Sequence, residues 1–303
     1  MKPVPLPSSL RARFPTFRER ARSVAAAGRP GLDLGLASLN DLLGGAQGMG
    51  IIGGIAGARK TTMLQQWGWN VVRLEQAFFA HFSFEMAPEA IDSYSIAHLA
   101  GVEKCNALGP LLEDPAFADQ CAVLEEAVKT FGARGHTFGL ADAKSVEQIS
   151  QIVDDLRTKL KLERGLIAID SLHALAAHVG RGARSERHAV DSVLNDVREF
   201  ADSTKLAVVC TAQLTKRGAE LDADFHFAQS AGADYTPDYT ATLVTSREGA
   251  TRPGAVARPL PATLHLHKNR FGRESVSLPL LYHPARTCFE ELRPRPGADD
   301  DDT

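Results

Sequence analysis

The chain has 303 residues, 44% hydrophobic and 23% charged, with a formal net charge of −3. That is enough apolar material for a buried core, and there is no global basic field to draw in nucleic acid. No apolar run approaches the ~20 residues of a membrane-spanning helix, and the N-terminus lacks the apolar stretch of a secretory signal. Cys105, Cys121, Cys210 and Cys288 form no CxxC pair, which excludes a zinc ribbon and a disulfide framework and sets a reduced, cytoplasmic protein as the expectation.

The near-neutral average hides two charged ends. Residues 1–30 carry Lys2, Arg11, Arg13, Arg18, Arg20, Arg22 and Arg29 against Glu19, and the chain closes on four aspartates, Asp299 to Asp302. The plain reading is a solvated arm and a solvated tail; the sharper one is a basic arm that touches a neighbouring subunit or nucleic acid.

The arm is Pro-rich, with a short helix expected over Phe17–Ala27. GLDLGLASLNDLLGG then reads as a short helix ended by Gly44-Gly45, and residues 49–53 as a short buried strand. A glycine-rich turn leads into a helix from about Thr61 to Glu75. Ala77–Phe84 is a second apolar run of strand length, followed by helical segments at about 87–101 and 116–131 and a strand at His136–Leu140. Residues 145–162 carry Val146, Ile149, Val153, Leu156 and Leu160 on one face of a 3.6-residue period, with Ser145 and Gln148 spaced as a capping box. Leu166–Ile169 is a buried strand ending at Asp170, residues 186–202 are a helix, and Leu206–Thr211 is another buried strand. Strands at Tyr239–Thr245, Thr263–His267 and Val276–Leu281 follow one another without helices. Apolar strands alternating with amphipathic helices predict a mostly parallel sheet covered on both faces, and the last three strands an antiparallel extension at one edge.

Residues 54–62, GIAGARKTT, fit the phosphate-loop pattern GxxxxGK[ST] at Gly54, Lys60 and Thr61, with a strand before and a helix after. Glycines such as Gly54 and Gly57 let backbone N–H groups of the loop, Ala58 among them, turn inward toward phosphate oxygens, and the helix N-terminus adds a favourable dipole. Lys60 would neutralise the β- and γ-phosphates, and the Thr61 hydroxyl would ligate Mg²⁺, with Thr62 beside it. Arg59 stands where the second glycine belongs. It fits there if its φ stays negative, adds a cation, and either weakens binding or alters turnover.

Downstream, four strand ends carry polar groups. Asp170 closes an apolar strand, the form that holds a Mg²⁺-bound water, though any buried strand can have an acidic end. Glu85, in HFSFEM, could deprotonate a water or simply favour a helix N-terminus. Gln213, in VVCTAQLTKRG, could sense a γ-phosphate or be a plain polar strand end. In HKNRFG, alternation puts Lys268 and Arg270 on one face, suited to reach phosphates across a subunit boundary or to sit in solvent.

In this order these features resemble the RecA-like ATPase domain of hexameric helicases of the DnaB type, from about Gly35 to Glu291. The segments GLASLNDLLGG, FSFEM, IDSL, TAQLTKRG and KNR carry the likeness, as does the stretch from Ser230 to Asp238; KNRFG is also similar to the RadA branch of the superfamily. The resemblance implies an α/β RecA-like P-loop NTPase fold, a mostly parallel central sheet flanked by helices with an antiparallel C-terminal edge. It implies ATP and Mg²⁺ as cofactors, held by Gly54, Gly57, Ala58, Arg59, Lys60, Thr61, Thr62 and Asp170. Glu85 is then the catalytic base, Gln213 the sensor, and Lys268 and Arg270 fingers acting on the neighbouring protomer. The expected assembly is a hexameric ring on single-stranded DNA, with a loader or a replication or recombination protein as a further partner and no membrane.

The expected organisation is a basic arm over residues 1–34, a motor domain over 35–292 and an acidic tail over 293–303. Neither the N-terminal helical domain of the replicative helicases nor the zinc motif of RadA is legible, so the chain reads as a bare motor of a mobile element or an accessory protein. DNA-binding charge is expected on two loops, Arg181, Arg184 and Arg187 on one and Lys216 and Arg217 on the other. The alternatives are a RadA- or clock-type ATPase that remodels a protein partner, and a nucleotide-binding scaffold slowed by Arg59. His265 and His267 alternate on a strand but have no acidic or cysteine partner nearby in sequence, and at least one of Trp67 and Trp69 is expected in the core.

Overall fold

In the computed structural model, residues 28–107, 109–179, 185–214, 236–246 and 258–292 are described, with scattered positions between 14 and 24. The strands are β1 (Met49–Gly54), β2 (Phe78–Ser83), β3 (Gly135–Phe138), β4 (Gly165–Asp170), β5 (Ala207–Gln213), β6 (Tyr239–Thr245), β7 (Leu260–Asn269), β8 (Val276–His283) and β9 (Cys288–Glu291). The longer helices are α1 (Ala37–Leu43), α2 (Lys60–Leu74), α3 (Pro88–Ala100), α4 (Ala118–Phe131), α5 (Val146–Leu160), α6 (Leu172–Val179) and α7 (Glu186–Thr204).

The strands join into one sheet of order β3-β2-β4-β5-β1-β6-β7-β8-β9. β3 through β6 run parallel, and β7, β8 and β9 extend the sheet antiparallel. This is the expected architecture, and the burial pattern explains it. β1, β2 and β4 are buried at every position, so they read as continuous apolar runs, whereas β7 and β8 alternate and leave one face to solvent.

Two apolar clusters lie on the two sides of the sheet. On one, α1 and α2 bring Leu39, Leu43, Met63, Leu64 and Trp67 against Ile52, Phe79, Ala168, Val209 and Tyr239. On the other, α5, α6 and α7 pack Ile149, Val153, Leu175, Val193 and Val197 against Ile51, Phe78, Ile167, Ile169 and Val208. Alternate residues of each strand face opposite clusters, as a pleated strand requires. Trp67 and Trp69 are both in the core. α2 lies unusually close to the sheet at Gly68, where a Cβ would sit 2.3 Å from the Phe79 ring.

The capping signal holds with one shift. Ser145 caps α5 by accepting from the Gln148 amide, but the Gln148 side chain accepts from Lys144 N (2.7 Å), one residue earlier than a capping box. Unanticipated elements include α6, eight residues whose apolar run is broken by His173 and His178, and β9, four residues too short to show a period.

β9 is tied to α1 and α2. Glu291 accepts from the Ser38 and Leu39 amides at the start of α1. Gln66, buried in α2, donates to Phe289 O at 2.8 Å and accepts from Phe289 N at 2.6 Å, so one side-chain amide completes a backbone pair. Gln66→Ala strands both buried groups of Phe289. It is expected to cost about 2–4 kcal/mol of unfolding free energy, read by denaturant titration, and to speed hydrogen exchange at the Phe289 amide.

Candidate nucleotide site

The phosphate loop springs from the carboxyl end of β1 and closes at the start of α2. Gly57 takes a positive φ of 82°, and Ala58 N donates to Ile55 O at 3.1 Å, so the loop is a tight turn. From β6, the Thr245 hydroxyl donates to Ala58 O at 3.1 Å and pins its far side. Arg59 does not take the negative φ that would accommodate it without strain. It sits at 69°, left-handed, as the residue before α2, because the turn into the helix needs the geometry that glycine normally supplies. That conformation costs a non-glycine residue about 1–2 kcal/mol. The Arg59 guanidinium lies 5.3 Å from the centre of the Tyr282 ring on β8, a contact worth ~0.5–1 kcal/mol in partial compensation.

Lys60 Nζ donates to Gly54 O at 2.8 Å and Ile55 O at 3.2 Å, lying along the inside of the loop. Burial lowers its pKa from the ordinary lysine value, against the opposing charges of Asp170 and Glu85. Lysine and both carboxylates therefore share one electrostatic neighbourhood. Thr61 Oγ1 donates to Asp170 Oδ2 at 2.7 Å, joining the first turn of α2 to the end of β4. The other Asp170 oxygen accepts from the Thr211 hydroxyl on β5. Glu85, exposed just beyond β2, accepts from the Ser171 hydroxyl; the Asp170–Ser171 peptide is cis. Thr62 is buried behind the loop. Gln213 is exposed at the end of β5 and pairs in register with Gly54.

A hydroxyl and a carboxylate held together are the hard oxygen donors that Mg²⁺ takes, and a lysine beside a helix N-terminus suits phosphate. The residues present therefore fit a Mg–nucleotide. Below Asp170, His81 of β2 is fully buried, and burial pushes its pKa down to about 4 despite the aspartate.

Lys268 and Arg270 are not in this group. β7 runs antiparallel to β6, and its end pairs Asn269 with Tyr239, which in turn pairs with Gly50 at the start of β1. Arg270, the first residue after β7, is one step further, level with Asp238 and Met49, and thus roughly 17 Å along the sheet from Gly54, at ~3.3 Å per residue. There it meets Asp238, a residue to which the sequence alone assigns no role. Asp238 Oδ1 is 3.2 Å from Arg270 Nη1, and its Oδ2 is 2.8 Å from Arg198 Nη1 and 2.9 Å from Met49 N. Burial alone would raise the Asp238 carboxyl; Arg198, the Met49 amide and Arg270 together hold it below the ordinary value. A cavity of about 540 Å³ opens at this end of the sheet, lined in part by Arg198, Lys205, Asp238 and Phe271, and contains none of the phosphate-loop residues.

Of the residues expected to meet nucleic acid, Arg187 is exposed on α7, 3.9 Å from Asp191. Arg181, Arg184, Lys216 and Arg217 lie outside the described residues. His265 and His267 are each engaged by a neighbouring strand, through the hydroxyls of Ser277 and Thr242. Thr211, Ser171, His81 and Asp238 do not stand out in the sequence as site residues. A hydroxyl inside an apolar strand is the signal available for Thr211, and a histidine inside one for His81.

Residues 31–225 match the model of the DnaB-like helicase C-terminal domain. No curated protein sequence gives a significant match. Among solved structures, an ATPase domain superposes with a TM-score of 0.77 at 15% identity, covering 95% of this chain and 100% of that one. A DnaB-like replicative helicase, solved for its interactions with primase, gives 0.73 at 16% identity, covering 95% of this chain and 68% of that one. A KaiC-like protein from the hyperthermophilic archaeon Pyrococcus horikoshii OT3 gives 0.56 at 12% identity, covering 86% and 98%.

The Asp238 junction has a pH signature. A carboxyl held low in the folded state stabilises above the unfolded value near ~3.9 and loses that contribution as pH falls through the folded one. Asp238→Asn is expected to lower the melting temperature at pH 7 and to flatten the wild-type loss below about pH 4, followed by thermal melts from about pH 7 down to about 2.5.

Proposed function

The chain belongs to the DnaB-like helicase C-terminal domain family, and from that premise we propose that it is an ATP-hydrolysing motor that moves along single-stranded DNA as a homo-hexameric ring, in replication or recombination. The observation that carries this reading is the split of the charged residues between the two ends of the sheet. Lys60, Thr61, Asp170 and Glu85 gather at the carboxyl end of the parallel strands, while Lys268 and Arg270 sit at the far end, beyond reach of their own phosphate loop. A finger in that position acts on a nucleotide held by the next protomer.

In this reading the backbone from Gly54 to Ala58 cradles the phosphates. Lys60 and Arg59 neutralise their charge, and Thr62 completes the start of the helix. Thr61 and Asp170 would hold Mg²⁺, which supplies further neutralisation at the β- and γ-phosphates. Glu85, oriented by Ser171, takes the proton of the attacking water. Gln213, level with Gly54, reports the state of the γ-phosphate to the following segment with Lys216 and Arg217. Lys268 and Arg270 stabilise the charge that develops at the neighbour's γ-phosphate; Arg270 must leave Asp238 to do so, and Arg198 and Met49 N remain to satisfy that carboxylate. Arg181, Arg184 and Arg187 join Lys216 and Arg217 on the pore side, gripping the DNA backbone without regard to sequence. The basic arm and acidic tail flank a single motor domain, the organisation of a cytoplasmic, mobile-element or accessory helicase that a loader would place on DNA.

The fold-level likeness to a KaiC-like protein favours a second reading, an ATPase that remodels a protein partner without unwinding. ATP hydrolysis with and without single-stranded DNA separates the two. The motor reading expects stimulation of about tenfold or more, lost as salt rises; unchanged turnover favours the remodeller. Lys60→Ala is expected to abolish hydrolysis, and normal turnover in that variant would overturn the site assignment.

The fingers have their own test. Arg270→Ala and Glu85→Gln subunits, each inactive alone, are expected to recover ATPase activity when mixed, because an intact site forms where the two meet. No recovery at any mixing ratio overturns action in trans.

A further inference from the structure

His81 is the odd residue of β2. Every other position of AFFAHFSF up to Phe82 is apolar, and an aliphatic side chain would fill the same buried place at lower cost. It lies on the sheet face covered by α2. There Gln65, one helical turn after Thr61 and itself buried, puts its amide 2.6 Å from His81 Nδ1. The other end of that amide is 2.7 Å from the Ser95 hydroxyl, buried in α3. The second ring nitrogen, Nε2, is buried with no hydrogen-bond partner, and Asp170 Oδ2 is 3.9 Å away.

Two proton arrangements satisfy the Ser95–Gln65–His81 relay, and the carboxylate selects between them. If Ser95 donates to Gln65 Oε1 and Gln65 Nε2 donates to His81 Nδ1, the imidazole carries its proton on Nε2, aimed at Asp170. The reverse order turns an imidazole lone pair on a carboxylate oxygen, which is repulsive. The first arrangement leaves a buried N–H about 1 Å short of a good hydrogen bond. An unmade bond of that kind is costly in a static structure and useful in a moving one.

Asp170 Oδ2 now accepts from Thr61 Oγ1. A lone pair of the Thr61 oxygen can ligate a cation while its proton stays on Oδ2, and that carboxylate oxygen has a further lone pair for a second donor. We propose that His81 is a positioning residue for the metal site, its Nε2–H closing on Asp170 Oδ2 to hold the carboxylate in its coordinating orientation while Gln65 and Ser95 fix the ring. Ligating carboxylates held by an outer donor bind metal more tightly, commonly by about 10–100-fold. The inference rests on the reading of Thr61 and Asp170 as the cation ligands, and it adds a path from that cation through Gln65 to α3.

The test is binding rather than turnover. Affinity of the full-length protein for a fluorescent ADP analogue is measured across a Mg²⁺ titration and again in EDTA. His81→Leu is expected to raise the Mg²⁺ concentration for half-maximal effect about tenfold and to leave the affinity in EDTA unchanged. His81→Gln, which offers an N–H at a similar reach, is expected to stay within about threefold of wild type, and Gln65→Met, which leaves His81 in place but unanchored, to fall between. A folded His81→Leu protein with the wild-type Mg²⁺ midpoint overturns the proposal. Should His81→Leu fail to fold, a wild-type midpoint in Gln65→Met overturns it instead. Asp170→Asn separates the two levels: if it abolishes Mg²⁺ dependence while His81→Leu does not shift it, only the role of His81 fails, and if it too leaves the dependence intact, the metal-site reading itself fails.

Discussion

The in-register parallel pairing of β2, β4, β5 and β1 is the constraint on which the rest depends. Ser83 pairs with Asp170, so β2 and β4 end level; Gln213 pairs with Gly54, so β5 and β1 end level; and because Ile169 pairs with Cys210, the second pair runs two residues further than the first. Residues that are far apart in sequence are thereby delivered to one edge without any of them having to reach. A strand shifted by one residue would send Asp170 to the opposite face, away from Thr61. The sheet can hold that register because its central strands are buried on both sides, leaving no polar face on which a slip would be tolerated.

The architecture and most of the nucleotide-facing residues are legible directly because they follow short-range rules. Apolar runs of strand length mark the parallel strands, period-3.6 stripes mark α5 and α7, and the glycine-lysine-threonine spacing marks the loop. What escapes are groups whose meaning is made by contact. Asp238 is one aspartate among many until the ends of β1, α7 and β7 converge on it. Whether Arg59 sits at negative or positive φ is open in the sequence, and the geometry of the turn into α2 decides it against arginine's own preference. Thr211 and Ser171 are ordinary hydroxyls whose partners lie across strands or loops.

α2 shows the same division within one element. Its tryptophans announce a core helix, and Met63, Leu64, Trp67, Val71 and Val72 are indeed buried. Yet Gln65, Gln66 and Asn70 are buried with them, and each amide has its own partner. Gln65 turns toward His81, Gln66 toward Phe289, and Asn70 toward Leu34 O at 2.9 Å. A period-based reading scores these positions as polar interruptions. Physically they are the fastenings that orient the helix whose first turn carries Lys60 and Thr61.

The fastening of α2 to β9 has a consequence for how the protein is made. The Gln66–Phe289 pair spans 223 residues of sequence and the Glu291–Ser38 contact spans 253. Contacts of such separation form late, because a long loop must close before they return any energy. During synthesis the N-terminal portion emerges first, so the phosphate loop and its helix leave the ribosome long before the strand that completes their packing. Until then Gln66 lacks its partner and α1 lacks its cap. Final docking of the helix that carries Lys60 and Thr61 is therefore coupled to translation of the last strand, and a chain truncated before Phe289 is left without that step.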